Sequence, residues 1–177
     1  MDISFDALCL KSIDYKDNDK IVTLYAVNKG KISIVAKGVK KQKAKLKYAV
    51  APLCFGHYYV NTNSKNGTLT GCDLVDSFYD VVLDPVKFYA ANVVVEIIDK
   101  MGMEDDYNNE LFITALKCLK ELCYESDTPK KTLFTYMGRM LLALGYESKA
   151  ITLRDYYNYL LHTFNVHINS LKELLLL

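Results

Sequence analysis

Residues 20–37, KIVTLYAVNKGKISIVAK, carry the clearest structural signal of the chain. Lys20–Val27 is rich in residues that favour strands, and Lys31–Lys37 alternates polar and apolar residues as a half-buried strand does. The residues between them, 28–30 (NKG), can adopt the positive φ that a tight turn needs. This stretch therefore predicts a β-hairpin.

Three further strand-like segments flank the hairpin. Ala7–Ile13 precedes it and is separated from it by the turn-forming residues 14–19. Val50–Val60 and Thr68–Phe78 follow it, joined by a turn cluster at 61–67. Five short strands at regular spacing within the first 80 residues predict a small closed or nearly closed β-barrel.

The hydrophobic period changes at Asp84-Pro85, where a capping acid precedes a proline at the first helical position. A second proline start follows at Thr128-Pro129, and Gly145 is placed to end that helix. Apolar stripes predict helices over 86–101, 111–122, 128–144 and 152–164, with a final turn or two toward residue 177. The fold class is therefore α+β, with a barrel domain at 1–80 and a helical bundle at 81–177.

The composition is that of an ordinary globular protein. The 177 residues are 51% hydrophobic and 24% charged, which argues against disorder or a fibrous repeat. Residues 1–6, MDISFD, lack the basic start of a secretory signal, and no apolar run approaches the roughly 18 residues of a spanning helix. We expect a soluble, cytoplasmic chain with no membrane segment.

The cysteine pattern gives no metal motif. The five cysteines, at 9, 54, 72, 118 and 123, are odd in number and contain no Cys-x-x-Cys pair. Cys118 and Cys123 would point about 140° apart on a helix, which is too far apart for the two thiols to bind one metal ion. We expect reduced, structural thiols, with no disulfide scaffold, no metal and no cofactor.

Catalytic motifs are also missing. The sequence contains no phosphate-binding glycine loop, no nucleophile elbow and no His-Glu-x-x-His. The acid cluster Glu104–Asp106 is interpreted as a solvated loop at a helix start, where acids favour the helix dipole. We expect a protein that is not an enzyme.

Charge is unevenly distributed, although the net charge is only +1. Residues 1–80 hold twelve lysines against eight acids, whereas residues 81–177 hold ten basic and thirteen acidic residues. Lys29 to Lys47 includes eight lysines and no acid. A field of that sign attracts polyanions.

The segment 38–47, GVKKQKAKLK, has too few apolar residues for a core strand and is predicted to be an exposed loop between the third and fourth strands. Lysines contact phosphates without reading base identity, so the loop predicts a nucleic-acid surface, with mere solubility as the alternative. Most of the flanking aromatics are expected in the barrel core, with one stacking on unpaired bases; they are Tyr25, Tyr48, Phe55, Tyr58 and Tyr59. The assigned DNA-binding residues are Lys31, Lys37, Lys40, Lys41, Lys43, Lys45, Lys47 and Tyr25.

Several segments resemble the RecO family of bacterial recombination mediators. Residues 7–10 (ALCL), 19–25 (DKIVTLY) and 30–38 (GKISIVAKG), with the basic stretch up to Pro52, resemble its N-terminal oligonucleotide-binding (OB) barrel, and 35–41 (VAKGVKK) is the most specific part. Residues 140–146 (MLLALGY) resemble the helix end that precedes the family's zinc module, and 152–154 (TLR) and 168–174 (INSLKEL) its last helix. The resemblance covers nearly the whole chain except that module.

The resemblance implies a five-stranded OB-fold barrel followed by an α-helical domain. It further implies binding of single- and double-stranded DNA, annealing of complementary strands, and cooperation with a RecR-type mediator to load a recombinase on DNA covered by single-strand-binding protein (SSB). Such a protein would be associated with the nucleoid. Family members usually carry a four-cysteine zinc insertion, but only residues 147–151 separate the two helices at that place, so the zinc is not carried over.

The resemblance also implies a pocket for the acidic, hydrophobic tail of SSB. Such a tail needs cations beside an apolar groove. Lys130, Lys131 and Arg139 are assigned to it, next to Leu133 and Met140, with solvated lysines at a helix end as the alternative. An RNA- or ribosome-associated adaptor and a protein-interaction scaffold remain the alternative functions of the whole chain.

Overall fold

The computed structural model describes residues 1–63 and 66–177, so Ser64 and Lys65 of the predicted turn cluster lie outside the described residues. The chain forms two compact units, Met1–Ser77 with Gly102–Tyr107, and Phe78–Met101 with Asn108–Leu177. The first unit is a barrel and the second is helical, which confirms the α+β class. The predicted division at residue 80 misses the segment 102–107, which belongs to the barrel unit although it joins two helices.

Five strands form the barrel: β1 (Asp2–Tyr15), β2 (Asp19–Ala26), β3 (Gly30–Ala36), β4 (Phe55–Asn61) and β5 (Thr68–Asp76). They follow the order β1-β2-β3-β5-β4 and close where β4 pairs with β1. Neighbours are antiparallel except β3 and β5, which meet in parallel at Val35 and Thr68. β1 extends beyond its predicted bounds because its first half pairs with β4 and its second half with β2.

The predicted hairpin joins β2 to β3. Asn28 and Gly30 have φ of 60° and 72°, the positive values expected for this turn. Gly30 is required for a second reason, since a Cβ at this position would lie 2.6 Å from the backbone oxygen of Asp106. The segment Gly102–Tyr107 therefore packs directly on the hairpin.

Residues 50–54 were predicted to start the fourth strand, but they lie outside it. Tyr48–Val50 is a 3-10 turn, and strand pairing begins only at Phe55, opposite Leu8. Ala49 and Val50 are buried in the barrel core, and the Tyr58 hydroxyl donates to the Ala49 carbonyl oxygen at 2.9 Å. The apolar run that suggested a strand thus fills the barrel interior instead of lengthening β4.

The helical unit contains α1 (Pro85–Met101), α2 (Asn109–Lys120), α3 (Pro129–Ala143), α4 (Leu153–Phe164) and α5 (Asn169–Leu174). As predicted, the Asp84 carboxylate accepts the Val86 N–H at 2.7 Å at the start of α1. Gly145 follows α3 with φ of 84°, and its N–H donates to the Leu142 carbonyl oxygen at 2.9 Å. Across the described residues, no helix is both long and apolar enough to span a bilayer.

The second predicted helix is shorter than its apolar stripe. α2 ends at Lys120, and Glu121–Glu125 forms a π-helical turn in which the Ser126 N–H donates to the Glu121 carbonyl oxygen at 2.8 Å. The Glu121 carboxylate accepts hydrogen bonds from the hydroxyls of Thr132 and Tyr136, at 3.2 and 2.9 Å. These side-chain bonds tie the π-turn to α3.

A carboxylate of α1 holds the start of α5. The two oxygens of Glu96 accept the N–H groups of Asn169 and Ser170, each at 2.8 Å, and Lys100 lies 2.8 Å from the same carboxylate. Burial by itself raises the pKa of Glu96, but the hydrogen bonds from Lys100 and the two amides outweigh it and lower the pKa below its ordinary value. Glu96 therefore acts as an N-terminal cap supplied by another helix.

Candidate nucleic-acid interface

The predicted loop at 38–47 is present between β3 and β4, and with Lys37 it forms the lysine loop, residues 37–47, which leads from the end of β3 to the 3-10 turn Tyr48–Val50. Its backbone forms successive turns, and Val39 is buried while Leu46 packs against the barrel core. The six lysine side chains of the loop are all exposed: Lys37, Lys40, Lys41, Lys43, Lys45 and Lys47. Two apolar side chains thus anchor the loop while its charges face solvent.

The first residues of the lysine loop contact the end of β1, the start of β2 and the turn between them. The Asp19 carboxylate accepts the Gly38 N–H at 2.8 Å, and the Lys40 N–H donates to the Asn18 carbonyl oxygen at 3.1 Å. The Lys40 ammonium lies 2.7 Å from the Asp14 carboxylate, which Lys20 also approaches at 3.6 Å. Hydrogen bonding to Lys40 holds the pKa of Asp14 below its usual range, so this acid stays ionised and offsets part of the Lys40 charge.

Among the described residues, no acid offsets the positive charge of the other five lysines of the loop in this way. Within 1–63 and 66–177, no carboxylate lies within ion-pair distance of Lys37, Lys41, Lys43, Lys45 or Lys47. Sequence reasoning found the lysines but missed Asp14 and Asp19, which reach the loop only because β1 and β2 place their connecting turn beside it. The turn at residues 14–19 was predicted, but its contact with the lysine loop was not.

Lys31 lies apart from the other assigned lysines. It is half-buried near the start of β3, six residues before Lys37, which corresponds to about 20 Å along a strand. Its N–H donates to the Met103 carbonyl oxygen at 3.3 Å, and a bridge pairs it with Glu104. The structure therefore does not join Lys31 to the lysine loop.

Tyr25 was the wrong choice for a stacking residue. Its side chain is 1% exposed, and its ring packs against that of Tyr107 with centroids 6.0 Å apart. Because the sequence placed residue 107 in the helical half, nothing local indicated that it would cover this face of β2. Among the other flanking aromatics, Tyr58 is fully buried, whereas Tyr48 and Tyr59 remain 43% and 40% exposed.

Lys131 and Arg139 lie two turns apart on α3 and line one polar pocket. The Arg139 guanidinium lies over the ring of Tyr136, 5.1 Å from its centroid, and Tyr136 donates to the half-buried Glu121. Pocket residues are Glu121, Thr128, Lys131, Thr132, Thr135, Tyr136 and Arg139. The carboxylate of Glu121 lowers the positive potential that the two cations produce there.

Lys130 lines a different cavity. Together with Lys131 it borders a groove of about 490 Å³ that also contains Phe134, Leu153 and Arg154. Leu133 and Met140, which were expected beside the cations, are fully buried in the helical core and do not reach this surface. The groove takes its apolar lining from α3 and the start of α4 instead, since Ile151, Leu153 and Phe134 flank it.

All five thiols are free and buried. Burial raises the pKa values of Cys54 and Cys72 to about 11, so neither is a thiolate at neutral pH. In the part of the chain that the structure describes, no three His, Cys, Asp or Glu side chains are grouped to hold a metal ion. We therefore take the lysine loop, with its exposed positive charges, as the candidate binding surface of the barrel unit.

Comparison with known proteins gives the same family for both units. Residues 1–78 match the family model described as "Recombination protein O N terminal", and residues 82–149 match "Recombination protein O C terminal". Together the two matches take in most of the chain, on either side of the junction between β5 and α1.

Individual relatives agree with these matches. The chain is 34% identical over 117 residues to the DNA repair protein RecO of Shouchella clausii, covering 66% of this chain and 46% of that protein. It is 27% identical over 139 residues to that of Acetivibrio thermocellus, covering 78% and 55%, and 29% identical over 140 residues to that of Bacillus mycoides, covering 79% and 56%. The chain spans about half the length of the curated relatives it matches.

Proposed function

The chain belongs to the RecO family, and from this premise we propose that it is a DNA-binding recombination mediator in DNA repair. In this role it binds single- and double-stranded DNA, anneals complementary strands, and helps a RecR-type mediator to load a recombinase on SSB-coated DNA. It acts without a covalent step, so it is not an enzyme. The names of the relatives, DNA repair protein RecO, support the repair role.

The observation that carries the proposal is the exposed cationic segment of the barrel. Five loop lysines have no carboxylate partner among the described residues, and two apolar anchors fix the loop that presents them. Each lysine that neutralises a phosphate releases a counterion, which favours binding without base preference. The same charges reduce the repulsion between two strands, so base pairing is left to select the partner during annealing.

A charge-removal experiment tests the lysine loop. In the variant Lys41→Gln/Lys43→Gln/Lys45→Gln, the slope of log affinity against log salt for single-stranded DNA should flatten by about 2 units, at about 0.7 per lost contact. Fluorescence anisotropy of a labelled oligonucleotide across a salt series gives that slope. A matched control, Lys117→Gln/Lys120→Gln/Lys149→Gln, removes the same charge from exposed lysines of the helical unit and should leave the slope unchanged.

The same assay separates the alternatives. Tighter binding to RNA than to DNA would favour an RNA- or ribosome-associated adaptor. Binding to neither would leave a protein-interaction scaffold, in which the lysines only add solubility. Faster annealing of complementary oligonucleotides coated with the cognate SSB would support the mediator role, and no acceleration would contradict it. Binding to the chromosome in this role implies a cytoplasmic, nucleoid-associated protein.

The helical unit supports a second contact in this function, with the SSB tail. The groove beside Lys130 and Lys131 is apolar and bordered by cations, including Arg154, which suits an acidic peptide that ends in apolar side chains. The neighbouring pocket adds Lys131 and Arg139 but also the carboxylate of Glu121. We therefore assign the apolar part of the tail to the groove and its acidic part to Lys131 and Arg139.

A further inference from the structure

Two exposed tyrosines reach the same place on β5. The Tyr48 hydroxyl donates to the Cys72 carbonyl oxygen at 2.6 Å, and the Tyr59 hydroxyl donates to the Asp73 carboxylate at 2.8 Å. Cys72 and Asp73 are successive residues, so the two phenol groups are anchored at adjoining positions of one strand. Both residues nevertheless remain about two-fifths exposed, Tyr48 at 43% and Tyr59 at 40%.

Both rings are held in place before any ligand arrives. The Tyr59 ring packs over Gly71, where an added Cβ would lie 3.2 Å from its Cδ2 atom, and it meets the His57 ring edge-on at 5.1 Å. Tyr48 belongs to the 3-10 turn whose two other residues are buried in the barrel core. Since the hydroxyls are bonded and the ring positions fixed, little side-chain entropy is lost when a flat group stacks on them.

The residues next to the two tyrosines differ in charge. Tyr48 directly follows Lys47, the last residue of the lysine loop, so cations end where the aromatic surface begins. Asp73, which accepts the Tyr59 hydroxyl, is an exposed acid, and an acid at this position disfavours a phosphate. Hydrogen bonding to Asp73 raises the pKa of Tyr59, and burial, together with the nearby charge of Asp73, raises the pKa of Tyr48, so both phenol groups stay neutral.

We propose that Tyr48 and Tyr59 form a stacking platform for unpaired bases of a strand whose phosphates follow the lysine loop, and that this platform makes the barrel prefer single-stranded over duplex DNA. The inference rests on the proposed DNA-binding function and names the form of DNA that this surface takes. Stacking on an aromatic ring accepts any base, because every base has a π-face. A base inside a duplex is already stacked on both sides and cannot offer that face.

The test compares Tyr48→Ala and Tyr59→Ala with Tyr48→Phe and Tyr59→Phe, since phenylalanine keeps the ring and removes only the hydroxyl bond. Affinity of the whole chain for a labelled single strand should fall roughly 5- to 150-fold in each alanine variant, the range expected for one lost stack. Each phenylalanine variant should stay within about threefold of the wild type. Duplex affinity should stay within about twofold in all variants, because it depends on the lysines.

A strand of abasic residues separates stacking from an indirect effect on the loop. The wild type should bind it more weakly than a normal strand, and Tyr48→Ala and Tyr59→Ala should bind it no worse than the wild type does. Tyr79→Ala, which removes a 67% exposed tyrosine of the helical unit, serves as the control and should bind all three substrates normally.

The outcomes distinguish this inference from the function on which it rests. If the wild type binds no DNA, the proposed function and the platform both fail. If the wild type binds but the alanine variants bind single strands as it does, only the platform is refuted. Equal losses on normal and abasic strands, or on single strands and duplex, also refute it, because the rings would then act through the fold of the loop.

Discussion

The ion pair between Lys40 and Asp14 predicts that removing an acid will add a DNA contact. Lys40 is held 2.7 Å from Asp14, whereas the other five lysines of the loop have no carboxylate partner among the residues described. The substitution Asp14→Asn removes the charge of the partner and leaves the size of the side chain unchanged. Lys40 is then free to neutralise a phosphate, so binding should become tighter and more salt-dependent.

The magnitude follows from counting contacts. Five lysines at about 0.7 per contact give a salt slope of about −3.5 for a single strand, and adding Lys40 changes it to about −4.2. Between 50 and 200 mM salt, the wild type should lose affinity about 130-fold and the Asp14→Asn variant about 340-fold. The gain in affinity should therefore be largest at low salt and shrink as salt rises.

Asp17→Asn is the matched control, because Asp17 is exposed in the same β1–β2 loop and has no ion-pair partner in the described chain. It changes the net charge equally but frees no lysine. Anisotropy titrations of both variants at four salt concentrations measure the two slopes, and a thermal melt confirms that the exposed pair adds little to the fold. Equal slopes for the two variants would refute the reasoning, since Lys40 would then already contact DNA or lie off its path.

Two further predictions concern the helical unit. Glu96→Ala should lower the free energy of unfolding by about 1 kcal/mol, or about 2–4 °C in Tm, whereas Glu173→Ala should change it little. Because folding lowers the pKa of Glu96, its contribution is present above the unfolded pKa and lost as pH falls through the folded one, so melts of the two variants should converge in acid. The triple variant Lys130→Ala/Lys131→Ala/Arg139→Ala should keep its Tm and its DNA affinity but bind a peptide copy of the SSB tail at least about tenfold more weakly by anisotropy. Unchanged peptide binding would remove the tail from this surface.

Much of the barrel could be predicted because its signals are local. The strand-forming residues of β2, the alternation along β3 and the turn at Asn28 and Gly30 depend only on neighbouring residues, and together they predicted the hairpin that is observed. The errors arose where distant segments decide the structure. Val50 was predicted to begin the fourth strand, but it ends the 3-10 turn Tyr48–Val50 and is buried with Ala49 in the barrel core. No local pattern distinguishes these two uses of an apolar run.

The candidate site was predictable to the same extent. The lysine loop follows from composition alone, since a run with so few apolar residues is not expected to form a core strand. Its electrostatics do not, because Asp14 and Asp19 lie about twenty residues earlier and meet the loop only in the folded barrel. The error at Tyr25 has the same origin: alternation tells which side chains point out of a barrel, but it cannot tell which outward side chains another segment covers.

Tyr107 packs on Tyr25, and this contact limits where a ligand can bind on the outside of the barrel. OB-folds commonly bind their ligands on the outer face of the second and third strands. In this chain two outward side chains of β2 are buried, with Thr23 at 7% and Tyr25 at 1% exposure, and Tyr107 packs on Tyr25. These two positions are closed to a ligand, whereas Tyr59 on β4 and Tyr48 beside the lysine loop are exposed. On the proposed function, we therefore expect a bound strand to follow the loop toward β4 and β5, because a path over Tyr25 would require Tyr107 to move away from it.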